Sequence, residues 1–208
     1  MRGIFNPENG FWRVTGKIVD AALLSLFWIV CSLPVFTLGS ATAALYKTSV
    51  KCLRGDETKS WSMFFLTFKE NFKVGALTSL IVAAIAVALV YLHSLAYNAA
   101  AQDTSWTVFY YCYTFLLLLP LGAACYVFPV LSRFEMGVGA LVTNSLKLAI
   151  AHLPSTIAMG AWLWLMQMLF LRWPVTFLFL PGLTAVFQSL LLERIFAPYM
   201  DSDADDPE

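Results

Sequence analysis

Charge is the scarcest commodity in this sequence, and it is unevenly placed. Only 12% of the residues are Asp, Glu, Lys or Arg, against 60% apolar ones. Between consecutive charges lie five uncharged runs, 21–46, 74–102, 104–132, 148–171 and 173–192, of 26, 29, 29, 24 and 20 residues. A helix rises about 1.5 Å per residue and needs about 20 apolar residues to cross the ~30 Å hydrocarbon core. The stretches between the runs are too short to bury a core of their own, which excludes a separate water-soluble domain.

Other shortages exclude chemistry. There are two histidines, His93 and His152, and four scattered cysteines, Cys31, Cys52, Cys112 and Cys125, with no CxxC pair. That spacing supports neither a disulfide framework nor a metal site. No HExxH, GxSxG or Walker loop occurs, and no run holds a pair of carboxylates. The expectation is a non-enzymatic protein with no cofactor and no metal. Spans so poor in charge also lack the buried carboxylates of a proton- or sodium-coupled relay. Nothing points to nucleic acid. The first apolar run begins near Ile18 and is too long for the core of a cleavable signal, so it reads as a retained span.

What is present is an all-α polytopic membrane protein, a single membrane domain over 1–208 with about five transmembrane helices. The spans are expected at about 18–38, 74–97, 105–131, 155–171 and 175–195. Pro120 and Pro129 should kink the third, and Pro181-Gly182 should interrupt the fifth. Residues 137–153 form an ambiguous helix broken at Pro154. Residues 1–17 read as an interfacial segment, and 200–208 as an acidic disordered tail.

Basic residues set the orientation. The connection after the first run holds Lys47, Lys51, Arg54, Lys59, Lys69 and Lys73, whereas 98–105 holds only Asp103. Cytoplasmic loops are enriched in Lys and Arg. Placing the first loop inside puts nine basic residues there and four outside. The N-terminus is then outside and the C-terminus cytoplasmic, in the cell membrane. Arg2, Arg13 and Lys17 before the first span argue against this, and two variants stay open: residues 1–20 lying flat on one surface, or a first run re-entrant at Pro34.

Residues 40–73 are expected to form cytoplasmic amphipathic helices. In the first, about 40–53, Lys47, Lys51 and Arg54 share one face. In the second, about 59–73, Trp61, Phe64, Phe65, Phe68 and Phe72 form a stripe bordered by Lys69 and Lys73, the pattern of a helix lying in the membrane plane. This surface would contact lipid or dock a partner helix. Gly75, Ser79 and Ala83 form a row of small residues suited to close helix packing in lipid. Gln167 and Gln188 could hydrogen-bond between helices. Asp20 would lie at the outer edge of the first span, and Glu193 with Arg194 would simply stop the last. A weak echo of 68–73 in 142–147 leaves an ancient duplication open.

Several motifs carry a family resemblance. Asn9-Gly10-Phe11, Ser32-Leu33-Pro34-Val35-Phe36-Thr37-Leu38-Gly39, Ala43-Ala44-Leu45-Tyr46, Arg54-Gly55-Asp56-Glu57, and Phe64-Phe65 with Phe68-Lys69 and Asn71-Phe72-Lys73 together resemble the YesL-like family. These are small integral membrane proteins of unknown function. The specific part covers roughly 9–75. Members tend to be encoded beside sugar-uptake ABC importers, which implies an accessory role beside importer permease subunits and assigns no catalytic residue. The alternative is a small self-sufficient transporter or channel, in which case a homo-oligomer is possible.

Overall fold

The computed structural model describes residues 10–55 and 59–204, which contain helices and no strand. Helix α1 runs Gly10–Ser32 and ends at Pro34, which has no N–H to continue the ladder. A 3-10 turn, Val35–Thr37, reverses the chain into α2, Leu38–Thr48. The Thr37 hydroxyl closes this turn by donating to the Pro34 carbonyl at 2.7 Å. Trp28 Nε1 donates to Thr42 Oγ1 at 3.0 Å, and Lys17 Nζ to the Gly55 carbonyl at 3.0 Å. Helices α1 and α2 are therefore an antiparallel hairpin, and residue 55 returns to the end where residue 17 began.

This is the re-entrant form of the first run, turned back at Pro34, and it brings the start of α1 and the basic loop to one end of the fold. Asp20, three residues past Lys17, lies towards this end too, not at an outer edge. Of the expected interfacial segment, residues 10–17 belong to the continuous α1, while 1–9 lie outside the described residues.

Helix α2 departs most from expectation. Its lysine pattern predicts an amphipathic helix at the cytoplasmic surface, but Gly39, Ser40, Ala41, Ala43, Ala44, Leu45, Tyr46 and Thr48 are all buried. The small ones among them let five other helices, α1, α3, α4, α6 and α9, close around α2, which stands at the centre of the fold. Its last turn widens into a π-helical stretch, Ser49–Arg54. Helix α3, Ser60–Glu70, packs on α2. Asn71 separates it from α4, Phe72–Gln102, so Phe72 and Lys73 belong to α4.

A helix of 31 residues is about 45 Å long, so α4 carries the chain well away from the basic end. There Asp103 accepts from the Ser105 N–H at 2.9 Å, which holds its carboxyl below the usual range. The third run then returns as two helices, α5 (Thr107–Leu116) and α6 (Leu118–Arg133). Pro120 explains the break: it cannot donate to the Leu116 carbonyl, and its ring crowds that group. Helix α7, Val138–Ala151, packs antiparallel on α6, and α8, Leu153–Arg172, begins with Pro154 in its first turn. A 3-10 segment, Pro174–Leu178, leads into α9, Leu180–Ala204. Pro181 and Gly182 thus open the last helix and do not interrupt it. Helix α9 also continues into the expected tail as far as Ala204, and 205–208 lie outside the described residues.

By length and composition four helices could cross a membrane: Thr15–Ser32, Phe72–Gln102, Leu153–Arg172 and Leu180–Tyr199, with mean hydropathies of 1.5, 2.4, 1.3 and 1.2. The fifth expected span is the α5–α6 pair, divided at Leu117. The rest of the architecture is a pair of core clusters. One joins α2, α6, α7 and α9 around Tyr46, Tyr126, Leu141, Leu192 and Phe196. The other joins α1, α2, α3 and α9 around Leu24, Leu45, Phe64 and Ala185.

Candidate functional site

The small-residue row is where α2 and α4 cross. The Gly39 N–H donates to Ser79 Oγ at 2.7 Å, and Ser79 Oγ donates to the Gly75 carbonyl at 2.8 Å. Gly75 and Ser79 are buried and Ala83 is half-buried. A Cβ on Gly75 would stand 2.8 Å from the Ser40 nitrogen, so the main chains touch here.

The basic and aromatic residues of 47–73 do not form one surface. Lys47 pairs with Glu70 at 3.7 Å, and Lys51 is half-buried. Arg54 Nη1 donates to the Ser189 carbonyl at 2.7 Å, pinning α9. Phe64 is fully buried, and Phe27 of α1 packs against Phe64 and Phe65 with ring centroids 6.0 and 5.2 Å apart. Phe68 is half-buried, stacking on Phe64 and meeting Phe72 edge-on. Trp61, Phe65, Lys69, Phe72 and Lys73 remain exposed.

The site that sequence reasoning missed is charged. Glu193 on α9 accepts from Arg133 Nε at 3.0 Å and Nη2 at 2.6 Å, a two-pronged pair. The Tyr46 hydroxyl of α2 donates to the same carboxylate at 3.0 Å. The arginine and glutamate side chains are only 15% and 17% exposed. Glu193 was expected merely to end a span; instead it ties α2, α6 and α9 together. The available signal was a pair of opposite charges at the ends of two runs, Arg133 and Glu193.

Two cavities lie near this cluster, and Tyr46 lines one of them. The larger, about 470 Å³, is a cleft among α1, α2, α6, α8 and α9, with Trp28, Phe128, Phe170, Gln167 and Gln188 in its wall. Both glutamines were expected to bridge helices, yet neither makes a hydrogen bond among the described residues. The smaller, about 370 Å³, lies between the ends of α6, α7 and α9, lined by Val130, Phe134, Asn144, Lys147, Phe196 and Tyr199.

The histidines do not join either cavity. His93 sits beside Tyr110 and Tyr113, ring centroids 5.2 and 6.2 Å away, with its Nδ1 buried and unbonded. His152 stands at the α7–α8 joint, where its carbonyl accepts from the Thr156 N–H at 3.0 Å. Among the described residues no three His, Cys, Asp or Glu side chains gather to hold a metal ion.

Helical hairpins with apolar spans, a basic end and a charged tie between helices define an all-α polytopic membrane protein. Within that class the chain is similar to the YesL-like family over part of its length. Residues 21–92 match the family described as "Protein of unknown function, DUF624". The chain is also 28% identical over 162 residues to "Uncharacterized protein YesL" of Bacillus subtilis (strain 168), covering 76% of this chain and 75% of that one. The family match spans α1 to the middle of α4, so it contains the α1–α2 hairpin and the crossing at Gly39, Gly75 and Ser79. No solved structure matches the chain.

Proposed function

We propose that the chain is a non-enzymatic accessory subunit of a carbohydrate ABC importer in the cell membrane, with its basic end, and therefore both ends of the chain, on the cytoplasmic side. The orientation is supported by charge. Lys17, Lys47, Arg54 and Arg133 meet at the end where Gly55, Ser189 and Glu193 lie, while Arg172 stands at the far end of α8. Folding α1 back on itself removes the conflict posed by basic residues ahead of the first span.

The observation that carries the accessory reading is how the buried charge is used. Arg133, Glu193 and Arg54 hold α2, α6 and α9 together, so they serve as structural ties and not as a free relay for a driving ion. The resemblance to the YesL-like family supplies the importer as partner. The exposed Trp61, Phe65, Lys69, Phe72 and Lys73 supply a docking face beside the lipid surface. Tagged protein should copurify importer permease subunits, and Lys69→Glu with Lys73→Glu should weaken that association without preventing membrane insertion. Undiminished copurification by the inserted double variant would leave this face as a membrane anchor only.

A second reading, a self-sufficient transporter or channel, is favoured by the 470 Å³ cavity, whose volume suits a small molecule. Solute uptake by the purified protein alone in liposomes distinguishes the two.

A further inference from the structure

We propose that the two cavities are the vestibules of one passage for a small uncharged solute, and that the Arg133–Glu193–Tyr46 cluster is its closed gate. This deepens the second reading and rests on it for transport, although the gating itself can be tested without any flux.

The argument is positional. On α6, Cys125 and Pro129 line the larger cavity, Val130 and Phe134 line the smaller, and Arg133 is one turn beyond Pro129. On α9, Ala185 and Gln188 line the larger cavity, Phe196 and Tyr199 line the smaller, and Glu193 stands between them. Both helices thus run from one cavity to the other, α6 between Pro129 and Val130, one turn before Arg133, and α9 between Gln188 and Phe196, across Glu193. Tyr46 belongs to both features, lining the larger cavity and donating to Glu193. The barrier is completed by Val130, Leu192 and Phe196, each buried in the same core.

The gate is attached to elements that could move as a unit. Tyr46 lies just ahead of the π-helical stretch Ser49–Arg54, and Arg54 holds α9 through the carbonyl of Ser189, one turn before Glu193. π-Helical turns are rare and recur at functional sites. Thr48 and Ser49 at the junction are fully buried, with hydroxyls that have no hydrogen-bond partner. A small rotation there would shift Tyr46 and Arg54 together against α9.

The lining of the larger cavity defines the solute, whereas the smaller also presents Lys147. None of the residues around the larger cavity is Asp, Glu, Lys or Arg, so a charged solute would enter without a counter-ion. Gln167 and Gln188 offer unpaired amide donors and acceptors, and Trp28, Phe128, Phe170 and Phe177 offer apolar faces. An uncharged molecule with one hydrogen-bonding edge and one apolar face fits that wall.

The test uses the full chain with its four cysteines replaced by alanine and Gln188→Cys as reporter, in membrane vesicles that expose the basic end. The probe is a methanethiosulfonate carrying an uncharged, impermeant polyol. With the cluster intact, labelling should be slow; Glu193→Gln should accelerate it at least tenfold, and Tyr46→Phe by less. The exchange Arg133→Glu with Glu193→Arg should restore slow labelling, which a merely loosened fold would not. Equal rates in all variants, or acceleration that the exchange fails to reverse, would overturn the gate. Absence of solute flux in liposomes alongside the expected labelling pattern would remove the transporter reading and leave the gate standing.

Discussion

Replacing Gly39 by alanine adds one methyl group at the most crowded point of the fold. The new Cβ would stand 2.5 Å from Ser79 Oγ, 2.6 Å from the Gly75 carbonyl oxygen and 2.7 Å from Phe128 Cε1. A serine or a phenylalanine side chain can rotate away, but the Gly75 carbonyl is main chain in a helix and cannot. Overpacking of this kind costs about 1–3 kcal/mol. Displacing Ser79 also breaks the bond from the Gly39 N–H, one of the unpaired donors of the first turn of α2. Hydrogen bonds between membrane helices are worth about 0.6 kcal/mol on average, so the total is about 2–4 kcal/mol. At about 2–4 °C per kcal/mol for a chain of this size, the melting temperature should fall by roughly 5–15 °C. The assay is thermal unfolding of the purified protein in detergent, followed by tryptophan fluorescence. Gly160→Ala is the matched control, because a Cβ there meets nothing within 4 Å and alanine favours the helix by about 1 kcal/mol. Ser79→Leu should likewise destabilise far more than Leu92→Phe, since Ser79 is buried and Leu92 is 48% exposed. If Gly39→Ala and Gly160→Ala melt together, α2 and α4 do not cross in main-chain contact.

The hairpin makes a topological prediction: on intact cells, with the native cysteines replaced, Gln102→Cys should react with an impermeant maleimide while Lys17→Cys and Lys59→Cys should not. Labelling of Lys17→Cys but not Lys59→Cys would refute the return of the chain to one side. Glu193→Gln should cost about 3 kcal/mol, read as a lower melting temperature, because it leaves the Arg133 guanidinium confined without its counter-charge; an unchanged melting temperature would mean that solvent already compensates the arginine. Thr48→Val should be neutral or stabilising by up to about 1 kcal/mol, because the buried Thr48 hydroxyl has no partner to lose. Marked destabilisation would show that this hydroxyl is bonded after all.

What the sequence determined by itself is the class of the protein and the approximate extent of its helices. Uncharged runs of twenty residues or more have no stable fate other than apolar helices, because each backbone group must be satisfied within its own segment once water is gone. The resemblance carried by motifs such as Ser32–Gly39 was legible for the same local reason: residues at fixed spacing need no knowledge of the fold. The spacing of Gly75 and Ser79 also announced a close approach, though not its partner. Tertiary structure decided everything that depends on which runs are neighbours. A lysine-bearing helix and a buried one look alike when only the last turn is charged, so α2 was legible as amphipathic although its small residues place it at the centre. The direction of the first run depended on whether Lys17 could reach Gly55, a contact between residues 38 apart that no local pattern encodes. Glu193 was a chain stop until folding brought Arg133 and Tyr46 to it from 60 and 147 positions away. Periodicity records what one helix needs; the partners of a charge are set only when helices pack.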